Sequence, residues 1–188
     1  MKKLLMITAG VVLINLAAFG QGSVLFQNVG PGLNAGIKNS AGTLIPAGSA
    51  FTAELLAGTT AANVGALTPA IMTTTWVGNG WFGVGQPEKV LQGFAPGATP
   101  FLQVRAWDNA GGTITSYAAA VAGGKQAGAS TIWQLAATGG LGNPGASPAV
   151  PGPALLGMQP FQLSIVPEPS TIALGLLGAA ALLLRRRK

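Results

Sequence analysis

The chain of 188 residues contains no cysteine and no histidine, and only 7% of its residues are charged. Without those two side chains there is no Ser-His-Asp or Cys-His arrangement, no thiolate nucleophile and no zinc site of the usual ligands. A Ser-x-x-Lys spacing, the common serine–lysine signature, is missing too. Disulfides are excluded, although a domain of this size does not require them in an oxidising compartment. Acidic residues number 4, namely Glu54, Glu88, Asp108 and Glu168. A glycosidase would have to draw its two carboxylates from the first three, which are far apart in sequence. Asp108 reads as a turn residue and Glu88 sits beside Lys89 on a solvated loop. Calcium needs several oxygen ligands at close spacing, and Asp108-Asn109 is the only adjacent pair. No catalytic, cofactor-binding or metal-ligating residue is therefore expected.

Charge is concentrated where the chain begins and ends. Of the formal +6, Lys2 and Lys3 sit at one end and Arg185, Arg186, Arg187 and Lys188 at the other. Between them Lys38, Lys89, Arg105 and Lys125 face Glu54, Glu88 and Asp108, leaving +1 for residues 21–166. The pI near 10.4 is thus a topology signal, and with no basic stripe no nucleic-acid partner is expected. Lys2 and Lys3 precede a mostly apolar run from Leu4 to Phe19, and Ala18-Phe19-Gly20 places small residues for a cut between Gly20 and Gln21. This is the pattern of a secretory signal peptide over residues 1–20, expected to be helical and removed by signal peptidase.

At the other end, Thr171 to Leu184 carries no charge, and at helical rise spans roughly 21 Å against a hydrocarbon core of about 30 Å. Snorkelling of the Arg185–Lys188 stems and local bilayer thinning make a transmembrane helix feasible there. The basic residues then act as a stop on the cytoplasmic side of the inner membrane. Pro167 and Pro169 bar a helix from running back through Glu168, so the glutamate stands on a stiff, exposed stalk. The Pro167-Glu168-Pro169 element, Ser170, the apolar run and the RRRK end together resemble the PEP-CTERM sorting signal of Gram-negative bacteria, over residues 166–188. The resemblance implies that Pro167, Glu168 and Pro169 form the recognition element for an exosortase, a membrane-embedded cysteine transpeptidase-like enzyme. It also implies a chain that is substrate rather than enzyme, exported across the inner membrane, transiently anchored, and then released to the cell surface or exterior, in a family that accompanies extracellular polysaccharide production.

The roughly 145 residues between these signals suffice for one domain with its own core. Twenty-nine glycines and 13 prolines punctuate short apolar runs, as in all-β domains. Strands are expected at Val24–Asn28, Phe51–Leu56, Ile71–Val77, Trp81–Val84, Lys89–Leu91, Phe101–Asp108, Ser130–Ala136 and Phe161–Ile165, with a hairpin over residues 37–45. In Phe101–Asp108, Leu102, Val104 and Ala106 share one face and Gln103 and Arg105 the other. In Phe51–Leu56 the alternation turns Glu54 outward. Ile114, Tyr117, Ala118 and Val121 recur at helical spacing before Gly123-Gly124, which predicts one short helix with a glycine stop. Residues 139–160 read as a Gly/Pro-rich loop. The expected architecture is an antiparallel β-sandwich ectodomain over residues 21–165. The succession of Phe51–Leu55, Val104–Asp108 and Phe161 also resembles a recurrent ectodomain type among such sorted proteins, which adds architecture only.

Gly78-Asn79-Gly80-Trp81-Phe82-Gly83 matches G-x-G-x-x-G, but no helix follows, so it reads as a turn and not a phosphate cradle. Trp76, Trp81, Trp107 and Trp133 serve either as core or as sugar-stacking platforms. Trp107 and Trp133 are expected in the core, and Trp81, in its glycine loop, is the candidate carbohydrate contact. The sequence therefore supports a non-catalytic surface or extracellular-matrix protein, with a carbohydrate-binding module that contacts exopolysaccharide as the alternative.

Overall fold

The computed structural model describes residues 21–135 and 140–165, together with Gly175 and Leu177. In chain order the strands are β1 (Gly22–Val24), β2 (Val29–Gly30), β3 (Leu33–Asn34), β4 (Phe51–Gly58), β5 (Gly65–Thr73) and β6 (Trp76–Gly78). They continue with β7 (Trp81–Phe82), β8 (Lys89–Leu91), β9 (Phe101–Asp108), β10 (Gln126–Ala129), β11 (Trp133–Gln134) and β12 (Ser164–Ile165). One helix, α1 (Tyr117–Ala122), lies between β9 and β10.

Two strands of 8 residues, β4 and β9, form the centre. They pair antiparallel along their whole length, from Phe51 opposite Asp108 to Gly58 opposite Phe101. Around them runs a 6-stranded sheet in the order β12-β10-β9-β4-β5, with β11 also on β9; every pairing is antiparallel. Period-2 alternation places Ala53, Leu55, Leu102, Val104 and Ala106 on one face, and all five are fully buried. Burying a leucine or valine side chain contributes about 1.5–3 kcal/mol, so this face holds the densest part of the core.

Opposite that face, among the described residues, stand three 2-stranded ladders, β1–β8, β2–β3 and β6–β7, and a large share of loop. Phe26, Ile37, Ile45, Phe82 and Leu91 from this layer join Leu55 and Val104 in one apolar cluster, as do Leu141, Leu155 and Met158 from the Gly/Pro-rich loop. The other face of the sheet carries a smaller cluster in which Trp107, Ala120 and Ala127 pack with Ile114, Tyr117 and Val121 beneath α1. Ser116 caps α1 by accepting the Ala119 N–H at 3.2 Å, and Gly123 ends it.

β9 and β8 occupy the residues expected from their sequence, and α1 ends at the expected glycine. Several other boundaries are corrected. The first strand is Gly22–Val24, not Val24–Asn28, because the Leu25 N–H turns away to Pro153 O at 2.8 Å. Ile71–Val77 divides between β5, which begins at Gly65, and β6. Residues 37–45 do form a hairpin, closed by Asn39 N–H to Thr43 O at 2.8 Å and Ile45 N–H to Ile37 O at 3.0 Å. Within Ser130–Ala136 only Trp133–Gln134 is strand, and Ala136 lies outside the described residues. There the Ser130 hydroxyl accepts the Val104 N–H at 3.0 Å, a side chain standing in for the ladder. Phe161–Ile165 shortens to Ser164–Ile165. Glu54 is buried, at 8% exposure, rather than facing solvent, because β4 is flanked on both sides by strands and its second face is covered as well as its first.

Candidate functional site

The sorting element follows directly on the last described strand, so the way the chain leaves the sheet is the first feature of the site. Phe161 O accepts the Lys38 N–H at 3.0 Å and Leu163 N–H donates to Lys38 O at 2.8 Å, which clamps the chain to the 37–45 hairpin. Gln162 Nε2 donates to Ser40 O at 3.3 Å, and Gln126 Oε1 on β10 accepts the Ser40 N–H at 2.8 Å. Leu163 is buried in the core at 1% exposure. Gly128 must be glycine here, since a Cβ would lie 2.9 Å from Gln162 O. At the residue after Leu163 the character changes: β12 is the edge strand, held by Gln126 opposite Ile165 and Ala127 opposite Ser164. Both of its residues are exposed, Ile165 at 59%. The expected recognition element, Pro167, Glu168 and Pro169, and the expected basic stop, Arg185, Arg186, Arg187 and Lys188, lie outside the described residues. Of the segment from Thr171 to Leu184 only Gly175 and Leu177 are described, both helical and exposed. No helix among the described residues is long and apolar enough to cross a membrane. At the other end Gly20 is outside the described residues, and Gln21 is exposed just before β1.

The tryptophans do not form a row. Trp107 is fully buried and donates Nε1–H to Ile114 O at 3.2 Å. Trp76, at 3% exposure, donates to Phe51 O at 2.8 Å and meets Phe51 and Phe82 edge-on. Trp133 packs against the core with Nε1–H on Leu156 O at 3.0 Å. Trp81 alone of the four belongs to neither apolar cluster; its Nε1–H donates to Asn34 Oδ1 at 3.1 Å. It stands just after the β6–β7 turn, where Asn79 and Gly80 have φ of 52° and 68°, the positive values that a type I′ hairpin turn requires. The G-x-G-x-x-G stretch thus contains a turn, as expected, and that turn closes a hairpin.

The three described carboxylates are apart, each with a local setting. Glu88 Oε2 accepts the hydroxyl of buried Ser23 at 2.7 Å. Asp108 Oδ1 accepts the Ala110 N–H at 2.8 Å in the turn after β9. Glu54 lies across the ladder from Arg105. Burial raises its carboxyl above the ordinary value near 4.5, and the Arg105 charge offsets only part of that. The guanidinium itself sits over the Tyr117 ring, 5.0 Å from its centroid. Among the described residues no group of three His, Cys, Asp or Glu side chains could hold a metal ion. Two clefts open beside β5. One, of about 310 Å³, is lined by Thr52, Thr73, Thr74 and Asn109 among others; the other, of about 270 Å³, lies between Met72 and the Lys89–Gln92 segment. Neither brings two carboxylates together. Sequence reasoning missed Asn28, whose buried amide donates to Ala35 O and Gly80 O and accepts the Phe82 N–H. Its position at the end of the expected strand Val24–Asn28 gave no signal of such a hub.

A β-rich domain whose edge strand leads into a proline-flanked glutamate, an apolar run and a basic cluster defines a protein handled through its C-terminal segment. The family model for the PEP-CTERM protein-sorting motif matches residues 166–188: the chain carries a PEP-CTERM sorting signal, which supports its being an exosortase substrate. That signal implies export and transient membrane anchoring before processing. No curated protein and no solved structure matches the chain.

Proposed function

We propose that this is a non-catalytic surface or extracellular-matrix protein, delivered and released through its PEP signal and built into the cell's exterior. The observation that carries the reading is the joining of a β core to the sorting signal by a 2-residue edge strand. Among the described residues, the apolar cluster around Leu55, Val104 and Leu163 is drawn from the stretch between Val24 and Leu163, and in this reading it persists after the signal is cut away. In this reading the 6-stranded sheet and the opposing ladders act as the two layers of a sandwich. The dispersal of Glu54, Glu88 and Asp108 supports a role without catalysis, and the sparse charge of the chain favours association over dispersion. Residues 1–20 serve as the signal peptide, cut by signal peptidase between Gly20 and Gln21.

The test is the fate of the C-terminal segment. Mass spectrometry of the mature protein should find Arg185 to Lys188 absent in cells with an exosortase and present where that enzyme is deleted. Recovery of the intact end in both strains would refute the reading. Glu168→Ala should slow processing more than Ser170→Ala, since the carboxylate is the strongest handle for recognition. The alternative, an exopolysaccharide-binding module, draws on one observation, the position of Trp81 outside the apolar clusters. If Trp81→Ala in a folded domain abolished binding to the cell's own exopolysaccharide, that alternative would replace the structural role.

A further inference from the structure

The recognition element begins one residue after a hydrogen-bonded strand, since only Val166 separates Ile165 from Pro167. An enzyme that reads residues 167–169 must surround an extended backbone, and in sequence only Val166 lies between that stretch and the sheet edge. The structure divides the approach into two parts of different strength. Phe161 to Leu163 is locked by two backbone bonds to Lys38, by Gln162 on Ser40 and by the burial of Leu163. Ser164 and Ile165 are exposed, and two register positions on β10 hold them. Unpairing them withdraws no side chain of their own from the core, whereas unpairing Leu163 pulls out a buried one.

We propose that β12 is a releasable extension of the sorting signal: Ser164 and Ile165 leave the sheet edge and enter the sorting enzyme's substrate cleft ahead of Pro167, and Leu163 is the anchor where release stops. This rests on processing at the PEP element. Between the anchor and Thr171 the enzyme then has residues 164–170, at most roughly 25 Å of extended chain at about 3.5 Å per residue; with β12 paired it has only residues 166–170, roughly 18 Å. Ser164 and Ile165 are thus positioning residues of the substrate, acting on how far the PEP element can reach. Edge strands suit this role because one side of their backbone is unpaired, ready to be taken up by another chain.

The absence of native cysteine gives a clean test. Ala127 and Ser164 are direct antiparallel partners, whose Cα separation of about 4.5–5.5 Å falls in the range a disulfide accepts. In the exported full-length chain, the Ala127→Cys/Ser164→Cys pair should form a bridge that holds β12 down. Processing, followed as conversion of precursor to mature chain on a gel, should slow at least about tenfold relative to either single cysteine variant. It should recover on reduction, and also in an oxidised chain given a four-residue Gly/Ser spacer between Ile165 and Val166. Processing of the bridged chain at the native rate would overturn the inference. So would a block that the spacer fails to relieve, because reach from the sheet would then not be the limit. The unsubstituted chain, run beside it with and without the exosortase, separates the two levels. Its failure to be processed in an enzyme-dependent way would overturn the sorting reading and this inference with it, while normal processing of both native and bridged chains overturns the inference alone.

Discussion

The 6-stranded sheet and the layer that faces it share one core but are held together in different ways. In the sheet, β4 and β9 pair over their full 8 residues, so backbone groups satisfy one another and the side chains need only alternate. The facing layer has ladders of two or three residues, too short to use most of its donors and acceptors. Backbone bonds between loops, such as Leu25 N–H to Pro153 O and Gly80 N–H to Ile45 O, meet many of these groups, and side chains fasten the rest. Asn28 alone fastens Ala35 O, Gly80 O and the Phe82 N–H, joining β3, the β6–β7 turn and its own segment at a buried point. Stability is therefore distributed in the sheet and localised in the layer, and the two should fail differently.

The largest expected effect is on the core face of the sheet. Val104 is fully buried beside its cross-strand partner Leu55 in the main apolar cluster, and Val104→Asp puts a charge there with no partner. The penalty should be on the order of the whole net stability, about 5–15 kcal/mol for a domain. Circular dichroism should show an unfolded chain at 25 °C; a cooperative transition near the native midpoint would refute the facing assigned to β9.

Next comes the layer. Asn28→Ala leaves the Ala35 carbonyl and the Phe82 N–H without their partner, each costing about 1–3 kcal/mol, while Gly80 O keeps the Ile37 N–H, so a loss of roughly 2 kcal/mol or more is expected in denaturant titration. Asn28→Asp retains an acceptor for the Phe82 N–H but cannot donate to the carbonyls, and brings a buried charge; it should fare no better than alanine. If both cost under about 1 kcal/mol, the idea of a localised fastening is wrong and the layer is held by its apolar contacts alone.

The same contrast explains what the sequence discloses. β9 is legible because its alternation is uninterrupted and closes in Asp108–Gly112, and the sorting signal is legible because it is a linear pattern that needs no fold to be read. β10 escapes notice: Gln126-Ala127-Gly128-Ala129 has no large apolar residue, and its place is fixed by close approach to Gln162 and Leu163. The facing of Glu54 is misread for a related reason. Alternation predicts two faces for a strand, but it does not say that both will be covered, and β4, between β5 and β9, has Thr52, Glu54 and Leu56 buried on its second face. Among the described residues of the site, what the sequence could supply about Trp81 was its turn; its separation from the core depends on which rings Phe82 and Phe51 take as neighbours.

The smallest effect belongs to that second face, and it has the opposite sign. Burial holds the Glu54 carboxyl above its ordinary value while Arg105 restores only part of the cost. Between the unfolded value and the raised folded one, the native state binds more protons than the unfolded chain, so stability contributed by this group is fully present below about 4.5 and is lost as pH rises through the folded value. Glu54→Gln removes the ionisation and keeps the shape. It should therefore raise the thermal midpoint slightly at pH 7, with the gain shrinking toward zero as pH falls below 4.5. The reverse result, a midpoint lowered at pH 7 by the amide, would mean that attraction to Arg105 exceeds the penalty of burial, and that this face of the sheet, like the layer across the core, is fastened by one specific polar contact rather than strained by it.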